Sequence, residues 1–136
     1  MKKLLEKFKK DGYVKSNYFG LNSNEAIELS NISKKLFQDY RGKKIKTGKL
    51  CNYSPPLNGS EVIFRFPEHN KKAFEIIERI LNNKNFKFTF EHLLGKNYKL
   101  RDCSVRRSLP GDKGLYLHQD AIGETNLSIL LSNNPK

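Results

Sequence analysis

The run over residues 109–131, LPGDKGLYLHQDAIGETNLSILL, constrains the architecture more than any other part of this chain of 136 residues. Pro110-Gly111-Asp112-Lys113-Gly114 is a turn by composition, since proline presets φ and glycine accepts φ > 0. Leu115-Tyr116-Leu117 then leads into His118-Gln119-Asp120 as a short apolar strand. Small residues over 121–125 follow, and Leu127-Ser128-Ile129-Leu130-Leu131 is an apolar run bounded by Asn133-Asn134-Pro135. The pattern predicts a turn, a strand closing on His-x-Asp, and a second buried strand.

Side chains in a strand repeat every two residues, so His118 and Asp120 are expected to share one face. Side by side, an imidazole and a carboxylate make two thirds of the two-His-one-carboxylate triad that holds non-haem Fe(II). Three His and five Asp in 136 residues give an accidental His-x-Asp about one chance in nine, so the flanking pattern carries the weight. Tyr116 has the same parity and is expected to line the same cavity. Arg106 and Arg107 alternate faces, so at most one points inward, toward an anionic group.

Gly12-Tyr13-Val14 behind a short N-terminal helix, a further helix, and Leu117-His118-Gln119-Asp120 with the Thr125-Asn126-Leu127-Ser128-Ile129-Leu130-Leu131 continuation together resemble phytanoyl-CoA dioxygenase-type proteins. The resemblance implies an Fe(II)- and 2-oxoglutarate-dependent oxygenase on a double-stranded β-helix, hydroxylating a small or lipid-like metabolite. It implies His118 and Asp120 as iron ligands and Gln119 close to 2-oxoglutarate, and strand parity adds Tyr116 and Arg106 as candidate cosubstrate contacts. The family also uses a distal His and a following Arg, whereas none of the sixteen residues after Asp120 is either. The expected architecture is therefore α+β, with N-terminal helices packed on a jelly-roll that is incomplete at its C-terminus. One domain spans 1–136: a helical and mixed region over 1–97, and the start of the jelly-roll core over 98–136. Such a chain is expected to be a truncated, inactive form, lacking catalytic residues apart from the metal ligands.

Elsewhere, residues 3–10 read as a short helix ended by Asp11-Gly12, with Tyr13-Val14 starting a strand. Asn22 and Ser23 offer N-caps, and Glu25 completes a capping box with Asn22. Ala26, Leu29, Ile32, Leu36 and Tyr40 then recur at helical spacing until Gly42. Pro55-Pro56 followed by Asn58-Gly59 excludes a helix. Residues 61–66 read as a strand, and 67–83 as a helix with Ala73, Phe74, Ile77, Ile80 and Leu81 as its core stripe. Phe86, Phe88 and Phe90 alternate with Lys87 and Thr89, the period of a half-buried strand. Residues 98–108 form another strand. His69 and His92 lack partners at ligand spacing and read as surface or capping residues.

The net charge is +12, but 20 of the 26 basic residues are lysines scattered beside fourteen asparagines, a compositional bias more than a patch. A non-catalytic basic module binding nucleic acid or another polyanion remains the alternative. An acidic small-molecule substrate would also benefit from the field. Cys51 and Cys103 are isolated, with no Cys-x-x-Cys spacing, and read as reduced thiols of a cytoplasmic protein. No apolar stretch approaches the roughly 20 residues of a membrane span.

Overall fold

A computed structural model of the chain describes residues 2–14, 19–41, 53–57, 60–111, 124–129 and 131, with the backbone alone at 53–57. Among these residues the architecture mixes helix and strand: α1 (Lys2–Asp11), α2 (Ser23–Tyr40), β1 (Tyr53–Leu57), β2 (Ser60–Ile63), a 3-10 turn (Phe66–His69), α3 (Lys71–Leu81), α4 (Lys84–Leu94) and β3 (Val105–Ser108). The three strands form one antiparallel sheet in the order β1-β2-β3.

Local chemistry sets most of the helix starts. Asn22 caps α2 through a full capping box: its side chain accepts from the Glu25 amide at 2.9 Å, and Glu25 accepts from the Asn22 amide at 3.1 Å. Asn70 caps α3 by accepting from the amides of Lys72 and Ala73. Each such cap is worth about 1 kcal/mol over alanine. β1 contains Pro55 and Pro56, which cannot donate to a ladder, and it lies at the sheet edge with its register shifted between Ser54 and Leu57.

The core joins the sheet to the helices. Leu29 and Phe37 of α2, Ile63 and Val105 of the sheet, Phe66 of the 3-10 turn, Ala73, Ile76 and Ile80 of α3, and Phe86 and Phe90 of α4 form one buried cluster. Their side chains supply the dominant driving force, about 1.5–3 kcal/mol for each large apolar group buried. Ile129 and Leu131 pack against this cluster from the far end of the chain.

Several expectations need correction. Phe86, Phe88 and Phe90 lie on α4, not on a strand. Asn83 caps this helix, accepting from the amides of Asn85 and Phe86, and Thr89 donates its hydroxyl to the Asn85 carbonyl four residues back. Phe86 and Phe90 stack at 4.3 Å, while Phe88 turns outward onto His92. The strand over 98–108 shortens to β3, since only Val105–Ser108 meets β2 in register. The strand over 61–66 ends at Ile63, because Arg65 takes a left-handed conformation (φ 53) that turns the chain into Pro67. The helix over 67–83 breaks at Asn70, and its buried stripe becomes Ala73, Ile76 and Ile80, leaving Phe74 about half exposed. Tyr13 and Val14 belong to no strand, and residues 124–129 and 131 are likewise outside the ladder.

Candidate functional site

β3 sends the chain toward the residues singled out from sequence. It pairs antiparallel with β2 in the register Ser60↔Ser108, Glu61↔Arg107, Val62↔Arg106 and Ile63↔Val105. Alternation then puts Glu61, Ile63, Val105 and Arg107 on the face toward the helices, and Ser60, Val62, Arg106 and Ser108 on the other. After Ser108, Pro110 and Gly111 turn the chain, with Gly111 at φ +86. His118, Gln119, Asp120 and Tyr116 lie outside the described residues. The described chain resumes at Glu124, whose carboxylate pairs with Arg101.

Of the sequence-predicted site residues, Arg106 is described. It is exposed, and its guanidinium donates to the Ser60 hydroxyl at 2.6 Å. Arg107 is the arginine that turns inward. Its Nε donates to Glu61 Oε1 at 2.5 Å and its Nη2 to the same oxygen. Glu61 is wholly buried, and the Arg41 guanidinium stands 3.7 Å from that oxygen. Beneath them the guanidinium of Arg107 lies 4.5 Å from the centroid of the Phe37 ring. Sequence reasoning missed this group. Its one sequence signal is a glutamate within an otherwise apolar strand, Glu61-Val62-Ile63.

The remaining histidines are engaged in structural contacts. His69 links two elements: its Nε2 lies 3.1 Å from the Phe64 carbonyl and its Nδ1 3.1 Å from the Tyr40 hydroxyl. A carbonyl only accepts, so Nε2 carries the proton and, in the neutral ring, Nδ1 accepts from Tyr40. With both nitrogens occupied, His69 has no lone pair to give a metal. His92 is exposed and stacked on Phe88 at 5.3 Å. Among the described residues no three His, Cys, Asp or Glu side chains gather as metal ligands.

Cys103 is a free thiol, half-buried beside β3. Burial, reinforced by the neighbouring Asp102 carboxylate, pushes its pKa from 9.0 up to about 11. It is therefore neutral at physiological pH and a poor nucleophile. Cys51 lies outside the described residues. No described helix is long and apolar enough to cross a membrane.

No protein family, curated protein or solved structure matches this chain.

Proposed function

We propose that the chain is of the Fe(II)- and 2-oxoglutarate-dependent oxygenase type, similar to phytanoyl-CoA dioxygenases, with His118 and Asp120 as metal ligands. The observation that carries this reading is the sequence Leu117-His118-Gln119-Asp120 placed after a Pro110-Gly111 turn. An imidazole nitrogen and a carboxylate oxygen are ligands that Fe(II) accepts, but they fill only two of the three positions of the facial triad, so the affinity of this chain for iron is expected to be weak. Bound iron with 2-oxoglutarate would supply the oxidising power for hydroxylating a C–H bond of a small or lipid-like metabolite. The protein's own groups would bind and orient it: Gln119 and Tyr116 would lie near the cosubstrate, and Arg106 retains N–H donors beyond its bond to Ser60 for an anionic group.

The placement of His69 supports assigning the metal to His118, because both of its ring nitrogens are already used. The test is anaerobic titration with Fe(II), read by quenching of tyrosine fluorescence, since the chain has six Tyr and no Trp. Saturable quenching that disappears in His118→Ala and in Asp120→Ala is the expected result. Equal quenching in the wild type and both variants would remove the metal reading. The second reading, a basic module for nucleic acid or another polyanion, rests on the net charge of +12. It predicts binding of single-stranded or duplex nucleic acid that weakens steeply with salt.

A further inference from the structure

We propose that Arg41 and Arg107 form, around the buried Glu61 carboxylate, a subsite for one oxyanion: the carboxylate or phosphate group of a small molecule. The charge count motivates it. Lys7–Asp11, Arg65–Glu68, Lys72–Glu75, Arg79–Glu25 and Arg101–Glu124 each pair one cation with one carboxylate. At Glu61, two guanidinium groups address one carboxylate oxygen. Among the described residues this leaves two guanidinium charges against one carboxylate, a net positive group that attracts an incoming anion.

The geometry leaves donors free to receive it. Arg107 uses Nε and Nη2 on Glu61, and its plane is held by the Phe37 ring, so its Nη1 is fixed in position. Arg41 stands at 3.7 Å from Glu61, attracted by charge without a hydrogen bond, and its N–H fork remains available for a bidentate oxyanion. The Arg41 side chain is 54% exposed and that of Arg107 27%, so a solute can reach both. Arg41 sits on the C-terminal end of α2 and Arg107 on β3, and they converge because Glu61 on the central strand draws both. The subsite needs no iron, so its failure and that of the oxygenase reading are separate outcomes.

The test is calorimetric titration of the full chain with inorganic phosphate and, in a parallel arm, acetate, each against chloride at matched ionic strength. Saturable heat with at least one of the two oxyanions is expected, and the tighter one identifies the group recognised. Arg41→Gln should weaken that binding by about tenfold or more, the loss of one charge-assisted contact. Lys87→Gln, which removes the same charge from an exposed position on α4, should leave it unchanged. Arg41→Lys, preserving the charge and the helix end, should also weaken it because the planar fork is lost. Absence of saturable binding to both anions would overturn the proposal. So would equal losses in Arg41→Gln and Lys87→Gln, since that is the mark of general screening.

Discussion

At Cys103 the environment governs reactivity. The residue's carbonyl accepts from the Phe66 amide at 2.7 Å, which ties the approach to β3 onto the 3-10 turn and keeps the thiol half-buried beside Asp102. With the pKa raised from 9.0 to about 11, the folded chain holds the thiol proton more tightly than the unfolded chain. The stabilisation linked to that proton is complete below pH 9 and is lost as pH rises from about 9 through about 11, because only the unfolded thiol ionises readily there. Alkylation by iodoacetamide at pH 8 should accordingly be roughly a hundredfold slower in the folded chain than in urea, the ratio of thiolate populations. Mass spectrometry of the peptide holding Cys103 would check this separately from Cys51. A folded-state rate equal to that in urea would show the thiol to be open to solvent.

At the level of elements, α4 shows how one pattern serves two structures. Phe86 and Phe90 are four apart, so the same spacing that lets them share a strand face also stacks them on one side of a helix. Phe88 separates the two cases, since a strand would align all three rings and the helix ejects the middle one. Phe90→Ala should therefore cost about 3–4 kcal/mol and Phe88→Ala under about 1 kcal/mol, measured by urea unfolding. Similar costs at the two positions would contradict the helix. The helix starts at Asn83, whose side chain caps it ahead of Lys84, whereas the alternation of aromatic and polar residues points to a strand. The α2 start was legible because its capping box is complete within four residues. The shift of the α3 stripe was not, because the helix phase depends on Asn70 capping it after a 3-10 turn.

For the molecule as a whole, the Glu61–Arg107–Arg41 group joins α2, β2 and β3 through one buried carboxylate. Arg107→Ala removes the closest cation and should destabilise the fold by about 3 kcal/mol, read as a lower urea midpoint. A midpoint within error of the wild type would mean that the ion pair is energetically idle. The glutamate in an apolar strand is its one local signal, but its partner lies 46 positions away and periodicity says which face a residue takes, not which strand lies opposite. For His118-Gln119-Asp120 the sequence supplies residue types and spacing, and the metal reading stands as a proposal on those alone. The described residues mix helix and strand, and the jelly-roll remains an expectation of the resemblance.

The register Glu61↔Arg107 has one more consequence. If β3 slid by a single residue, its faces would exchange: Val105 would leave the core, Arg106 would enter it, and the buried carboxylate would lose its guanidinium. The ion pair thus works as an indexing pin, allowing one alignment of β3 and penalising its neighbours. Pinned three residues before Pro110, the pair fixes where β3 ends and where the chain enters its turn, a boundary set by a glutamate and an arginine 46 positions apart.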